Sequence, residues 1–198
     1  MINFKQISQE TPYLILKNKY AAAVNANQKN IEAISISSYS KKLNEVNARF
    51  VNLKFVDNDE FIFFSNYESS KSQDFNNHNQ ITALIYWNAI NVQIRIKASI
   101  KKTTREFNKE YFLKRSYKKN ALAISSNQSK PIDSFQSVMD NYNRIIESAD
   151  LKECPVFWGG YSFTPYYFEF WEGHNSRLNK RDVYKKNGIS WDHATLQP

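Results

Sequence analysis

All four glycines of this 198-residue chain, Gly159, Gly160, Gly173 and Gly188, lie at or beyond position 159. A loop that wraps a phosphate with backbone amides needs glycine where the main chain meets the ligand, so the chain can build neither a dinucleotide fingerprint nor a P-loop. Any phosphate it binds must be held by side chains and by other backbone amides. Two of the glycines are adjacent, in Phe157-Trp158-Gly159-Gly160-Tyr161, and Phe168-Glu169-Phe170-Trp171-Glu172-Gly173 and Arg177-Leu178-Asn179-Lys180-Arg181 follow. Aromatic rings beside arginines suit a flat anionic ligand, which the rings stack against while the guanidinium fork meets carboxylate or phosphate. The same residues also fit a core hairpin with a basic exit strand.

Hydrophobic residues make up 41% and aromatic residues 15% of the chain, the composition of a folded globule rather than a disordered segment. At this length one domain buries a core without staples. No apolar run reaches the length of a membrane-spanning helix, and Met1-Ile2-Asn3-Phe4-Lys5-Gln6 lacks the charged-then-apolar order of a signal peptide. The expectation is a cytoplasmic protein with no membrane partner. The single Cys154 excludes an internal disulfide and, with no histidine near it in sequence, reads as a core side chain. A net charge of +8 raises the question of nucleic acid. The basic residues, however, form separate pairs, Lys41-Lys42, Lys101-Lys102, Lys118-Lys119 and Lys185-Lys186, which decorate solvated faces; nucleic acid is not an expected partner, and small phosphorylated ligands would use the charge locally. His78, His174 and His193 show no zinc-ligand spacing, so no metal is expected, and no G-x-S-x-G elbow is present. Any hard chemistry is expected from an organic cofactor.

With no repeat, linker or low-complexity tract, residues 1–198 read as one domain. Spacing predicts a helix over 12–23, strands over 33–37, 49–56 and 61–65, the latter two joined by the turn Asp57-Asn58-Asp59-Glu60, and a helix over 69–77. Strands over 81–87 and 92–101, helices over 104–115 and 132–148, strands over 161–163 and 167–171, and a last hairpin around Asn187-Gly188 follow. Strands dominate without a βαβ rhythm. The fold class is therefore mainly β with added helices, a Greek-key-like antiparallel barrel.

The segments Arg49-Phe50-Val51-Asn52-Leu53-Lys54 and Phe61-Ile62-Phe63-Phe64-Ser65-Asn66-Tyr67-Glu68-Ser69-Ser70-Lys71 resemble the flavin-binding part of the pyridoxamine 5′-phosphate oxidase family, whose pattern is roughly R-x-V-L-L-K, a turn, then F-Y-T-N-x-x-S-R-K. Further matches follow in order: Tyr86-Trp87 with Gln93, Tyr111-Phe112 with Arg115, Ser126-Asn127-Gln128-Ser129, Phe157-Trp158-Gly159-Gly160, Phe168-Glu169-Phe170-Trp171, and Arg177-Leu178 with Arg181. The resemblance covers about the last four-fifths of the chain, and the order and spacing of the pieces make it specific. It implies an FMN-binding split barrel in a homodimer, with two flavin mononucleotide (FMN) sites at the subunit interface. Residues 1–30 would form an N-terminal helical segment and 157–198 a region for dimerisation and substrate.

Carried over residue by residue, the resemblance assigns Arg49, Phe50, Val51, Asn52, Leu53, Lys54, Phe64, Ser65, Ser70, Lys71, Gln128 and Ser129 to FMN, mostly on its phosphate and ribityl side, and sets Gln93, Trp171 and Arg181 beside the isoalloxazine ring. Lysine, arginine and hydroxyl donors would replace the missing glycine loop. Strict alternation puts Arg49 and Lys54 on opposite faces of their strand, so a bulge, strong twist or strand-end contact is required if both touch one ligand pair. A small phosphorylated pyridine substrate would be held by Lys54, Tyr111, Arg115 and Lys119, with Arg177 and Asn179 at the reacting carbon. Tyr111 and Arg115, four apart on a predicted helix, would share one face.

Several positions depart from the family pattern. Asn179 stands where histidine is usual, Lys180 replaces aspartate, Lys119 replaces serine, Ala121-Leu122-Ala123 replaces G-A-W, and Ser70 replaces arginine. Asparagine keeps fixed hydrogen bonding but loses a group that titrates near neutrality. The activity implied is FMN-dependent oxidation of pyridoxamine or pyridoxine 5′-phosphate to pyridoxal 5′-phosphate with molecular oxygen as acceptor. The alternatives are a split-barrel oxidoreductase for another aromatic substrate, like the phenazine-pathway relatives, and a flavin- or pyridoxal-phosphate-binding protein without turnover.

Overall fold

Period-two alternation of buried and exposed residues writes most of the sheet. Strand β2 (Ala33–Ser40) buries every second residue, and β5 (Gln80–Trp87) and β6 (Val92–Lys102) do the same, because one face of each covers the core. The computed structural model describes residues 1–198. Its other strands are β1 (Asn3–Phe4), β3 (Glu45–Asp57), β4 (Glu60–Asn66), β7 (Trp158–Glu172), β8 (Lys180–Asn187) and β9 (Ser190–Leu196), and its helices are α1 (Thr11–Asn25), α2 (Ser70–Asn77), α3 (Arg105–Leu113), α4 (Tyr117–Ser125) and α5 (Phe135–Ser148).

Every strand belongs to one sheet. Strand β3 pairs β2, β2 pairs β5, β5 pairs β6, and β6 pairs β7, while β4 pairs both β7 and β3 and so closes the ring into a six-stranded antiparallel barrel. The β8–β9 hairpin extends the sheet from the far half of β7, and β1 lies parallel along β3. Ile34, Ile36, Leu53, Phe61, Phe63, Ile94, Ile96, Phe163 and Phe168 fill the interior, with Phe61 stacked on Phe163 at 5.1 Å. Helix α1, with Pro12 in its first turn where no amide partner is needed, sets Tyr13 against Phe61, Phe168 and Trp191. A smaller cluster of Phe112, Cys154 and Trp158 lies under α3.

Two bulges control which way side chains point. In β3 the register slips between Leu53 and Phe55, leaving Lys54 as the extra residue and letting Leu53 and Val56, three apart, both enter the core at 1% and 0% exposure. In β7 it slips where Lys97 faces Tyr167 but Ala98 faces Pro165, a residue with no amide to give the ladder. The two strands expected over 161–163 and 167–171 are therefore halves of one 15-residue strand. Other boundaries also differ from expectation. Helix α3 stops at Leu113, two residues short of Arg115; a separate α4 follows, and α5 begins at Phe135, where Ser134 accepts a hydrogen bond from the Ser137 amide. Turns that elsewhere call for glycine use asparagine, with positive φ at Asn27, Asn30, Asn44, Asn58 and Asn91.

Gly159 and Gly160 allow a close approach rather than a turn. A Cβ on Gly159 would meet Tyr67 Oη at 2.2 Å and Asn108 Nδ2 at 2.4 Å, groups that bond each other and, through Tyr67 Oη and Asn108 Oδ1, the Gly160 carbonyl and amide. Gly159→Ala is expected to destabilise the fold by about 1–3 kcal/mol, the usual cost of overpacking. Urea unfolding followed by tryptophan fluorescence measures it.

Candidate functional site

The bulge at Lys54 turns its side chain into a cavity of about 620 Å³ between β3, β4 and the α3–α4 corner. Phe50, Val51, Asn52, Phe64, Ser65, Lys71, Tyr111, Lys119, Gln128 and Trp158 also line it. Lys54, Lys71, Lys114, Arg115 and Lys119 give this wall five cations against one carboxylate, Glu32. A second hollow of about 420 Å³ shares Phe64, Arg115, Lys119, Gln128 and Trp158 and continues toward Leu122 and Ser126.

At one end of the cavity Lys71, only 6% exposed in the first turn of α2, donates to Ser65 Oγ at 3.2 Å and Ser69 Oγ at 3.1 Å. Gln128 Oε1 accepts from Ser65 Oγ and from the Asn66 amide, tying the α4–α5 connection to β4. Burial, and after it the nearby Arg49 charge, push the Lys71 ammonium down to about 8. Arg49 itself does not line the cavity. It lies opposite the buried Ile36 on β2, donates to Ser38 Oγ at 2.7 Å and pairs with Asp74 of α2 at 3.6 Å, so it backs Lys71 from the core side. The β3 bulge is present, but it falls after Arg49 and leaves Arg49 and Lys54 on opposite faces.

At the other end Phe64, Tyr111 and Trp158 form a near-parallel stack, with centroids 4.0 Å and 5.0 Å apart across Phe64. The Arg115 guanidinium lies 4.4 Å from the Trp158 centroid, a cation over the face of the ring. Its Nη2 donates to the Lys119 carbonyl at 3.1 Å, while Nη1 is buried with no partner in the protein. Arg115 stands beyond the end of α3 rather than on one helical face with Tyr111, and the cavity joins the two all the same. Burial, then the charges of Lys119 and Arg115, hold the Lys54 ammonium below its ordinary value despite the opposing pull of Glu32.

The remaining expected residues lie elsewhere. Leu53 points into the core, Ser70 is exposed on α2, and Ser129, at φ 69°, lines a separate hollow with Gln128. Gln93, Trp171 and Arg181 sit together on the outer face of β6, β7 and β8, around a shallow hollow of about 410 Å³ that shares no residue with the cation-rich cavity. Arg177, at φ 62°, and Asn179 belong to the β7–β8 connection and line neither; Asn179 Oδ1 accepts from the His174 amide at 3.0 Å and closes that loop. Lys180 pairs with Asp182 at 2.8 Å.

Sequence reasoning gave no role to Glu32, Asp74, Lys114 or Glu169. Glu169 was legible as the residue two before Trp171 on the same face of a strand, and Asp74 as the residue one helical turn after Lys71. Lys114 and Glu32 carried no such signal, because the corner and loop that aim them depend on tertiary packing.

A sequence profile described as pyridoxamine 5′-phosphate oxidase matches residues 20–148, and one described as the pyridoxine 5′-phosphate oxidase C-terminal dimerisation region matches residues 158–198. A pyridoxine/pyridoxamine 5′-phosphate oxidase of Hydrogenovibrio crunogenus is 33% identical over 194 residues, spanning 96% of this chain and 89% of its own length. One from Burkholderia lata is 37% identical over 155 residues, spanning 76% of this chain and 72% of its own length. Among solved structures, PhzG from Burkholderia lata in complex with tetrahydrophenazine-1-carboxylic acid superposes with a TM-score of 0.88 at 22% identity, over 96% of this chain and 93% of that one. A pyridoxamine 5′-phosphate oxidase-related, FMN-binding protein from Nostoc punctiforme gives 0.76 at 12% identity, over 92% of this chain and 97% of that one. With the barrel closed by β4 and both profiles matched in chain order, the protein has the split-barrel fold and belongs to the pyridoxamine 5′-phosphate oxidase family.

Proposed function

We propose that the chain is an FMN-dependent oxidoreductase that oxidises pyridoxamine or pyridoxine 5′-phosphate to pyridoxal 5′-phosphate, with molecular oxygen as acceptor, in a homodimer. The observation that carries this reading is the cavity with five cations facing one carboxylate beside a stack of aromatic rings, with a buried Arg115 donor left unpartnered. Such a wall suits a doubly charged phosphate on a flat ring.

The residues fit FMN. Lys71 and Ser65 set a cation and a hydroxyl at one end of the cavity with Arg49 behind them, and a phosphate there would offset the burial and like-charge penalty on Lys71. Gln93, Trp171 and Arg181 offer an amide, a ring and a guanidinium on the outer sheet face. Trp158 and Trp171 stand at opposite ends of β7, up to about 40 Å of extended strand at about 3.3 Å per residue, and line hollows that share no residue. Their separation into two hollows at the ends of one strand supports two chains meeting so that each supplies one half-site. The dimerisation profile over 158–198 supports the same arrangement.

When bound, FMN supplies the two-electron acceptor chemistry and reacts with oxygen to be regenerated. The chain's part is to bind and orient. Lys54, Tyr111, Arg115 and Lys119 would anchor the substrate phosphate, so that binding energy at that end fixes the ring at the other. Arg177, held at positive φ in a loop closed by Asn179, would lie over the ring and aim the reacting carbon. Asn179 engages its own loop through Oδ1 and offers no titrating group. That departure from the family pattern supports a second reading, another aromatic substrate, of which the aromatic carboxylate bound by PhzG from Burkholderia lata is the example, with the altered loop adapted to it.

Calorimetry is expected to show about one FMN per chain, and light scattering about twice the chain mass of 23.3 kDa. Pyridoxal 5′-phosphate formed in air from either vitamer supports the first reading; flavin reduction only by an aromatic carboxylate supports the second; bound FMN that no substrate reduces means a binding protein.

The Lys71 ammonium at about 8 sets a pH dependence. The phosphate needs the protonated form, so FMN affinity is expected to stay level below about pH 8 and to fall above it, by up to about tenfold per pH unit until the higher pKa of the complex is passed. Lys71→Met is expected to remove that step, as read by flavin fluorescence titration across pH 7–10.

Arg115→Ala is expected to weaken pyridoxal 5′-phosphate binding by about 1.5–3 kcal/mol, the range for a charged hydrogen bond. Asn179→His is expected to raise kcat about tenfold with little change in KM, because an imidazole there acts on the barrier rather than on the anchored phosphate. Steady-state kinetics with both vitamers checks the pair. A fall in kcat for Asn179→His favours the carboxylate reading.

A further inference from the structure

On the outer face of the sheet, register places nine side chains in a grid. Gln93, Trp171 and Arg181 form one row across β6, β7 and β8; Arg95, Glu169 and Val183 the next; Lys97, Tyr167 and Lys185 the third. Glu169 is at the centre, the one carboxylate among four cations, and is only 3% exposed. Its two oxygens divide the neighbours. Oε1 accepts from Arg181 Nε at 3.0 Å and Nη2 at 2.8 Å. Oε2 accepts from Arg95 Nε at 3.0 Å, from Arg95 Nη2 and from Tyr167 Oη at 3.0 Å.

This geometry fixes Arg181 more tightly than its place in a shallow hollow requires. Two parallel bonds to one oxygen set the guanidinium in position, and a third from Nη1 to the Gln197 carbonyl at 3.0 Å completes the clamp. Arg95 stands on the other side of the same carboxylate, so the two arginines share one counter-charge and the group carries a net +1. Burial works to raise the Glu169 pKa, but hydrogen bonds from Arg95, Arg181 and Tyr167 outweigh it and hold the carboxyl below its ordinary value, so it stays charged at neutral pH.

We infer that Glu169 is a positioning residue: it holds Arg181 beside Gln93 and Trp171 and, shared with Arg95, fixes the charge of the Arg95–Glu169–Arg181 group at +1. Resting on the FMN reading above, the inference concerns how this chain tunes the cofactor rather than whether it binds one. Reduction adds negative charge to a flavin ring, so each positive charge on the wall favours the reduced form.

The test measures the midpoint potential of bound flavin and the FMN Kd in the holo dimer for Glu169→Gln, Arg95→Met and the double variant. By charge count the Arg95–Glu169–Arg181 group carries +2, 0 and +1 in turn. Glu169→Gln is expected to raise the potential by about 30 mV, a tenfold shift in the two-electron equilibrium, and to weaken FMN binding at least tenfold as Arg181 loses its clamp. Arg95→Met is expected to lower the potential by a similar amount with little change in Kd. The double variant is expected to return the potential to the wild-type value while its Kd stays weakened, a crossing that a merely structural role for Glu169 does not produce. Potentials that ignore the charge count, in a wild type that binds FMN, overturn this inference alone; should Glu169→Gln not fold, Arg95→Met decides, and an unmoved potential there overturns it equally. A wild type that takes up no FMN overturns the cofactor reading instead.

Discussion

The backbone ladder of β7 is the element on which the rest of the structure depends. It is bonded to β6 along nearly its whole length, to β4 along its first part and to β8 along its second, so the same strand closes the barrel and carries the C-terminal hairpin. Its two faces would exchange at the midpoint if it were regular. Tyr161 and Phe163 point into the core, and so do Phe168 and Phe170, which strict alternation forbids. The slip at Pro165 inserts the odd residue that reconciles them. In consequence Trp158, Gly160 and Ser162 share the outward face with Tyr167, Glu169 and Trp171. Without that bulge, keeping Tyr161 and Phe163 in the core would turn Phe168 and Phe170 outward and Glu169 and Trp171 inward together.

The barrel was legible because its strands alternate cleanly, and the β3–β4 turn because Asn58 supplies the left-handed residue a tight hairpin needs. What escaped was set by tertiary structure. The gap read at Thr164-Pro165-Tyr166 is a bulge rather than a break, since β6 keeps the ladder bonded across it. Helix α4 carries little apolar periodicity; Asn120 anchors it by donating to the carbonyls of Phe112 and Leu151, a pattern no sequence window reveals. For the site, Lys54, Ser65, Lys71, Tyr111, Arg115, Lys119 and Gln128, which the family resemblance divided between cofactor and substrate, all line one cavity. The separation of Gln93, Trp171 and Arg181 toward the far end of that outward face follows from the length of β7, which the broken reading of that strand concealed.

A chain without glycine before position 159 would have to hold any phosphate with side chains and non-glycine backbone amides, and a buried cationic side chain couples such binding to stability. Backbone amides of a glycine loop are neutral and cost little when no ligand is present, whereas Lys71 is a cation buried beside Arg49. Its depressed ammonium pKa means that the folded chain holds this charge at a cost on the order of 3 kcal/mol, complete below about pH 8 and fading as pH rises toward the ordinary lysine value. Asp74 relieves part of the strain by pairing with Arg49 and accepting from Ser38 Oγ at 2.7 Å, but it is committed to Arg49 rather than to Lys71. Lys71 is left with two hydroxyl acceptors and no carboxylate. An anion at that spot removes the penalty and gains charge-assisted bonds in the same step. Glu169 handles the opposite wall differently, neutralising one of its two arginines permanently. The chain thus keeps most of its uncompensated charge in the cation-rich cavity and leaves the outer-face group at +1, the division expected if a doubly charged group docks in the first and a ring in the second.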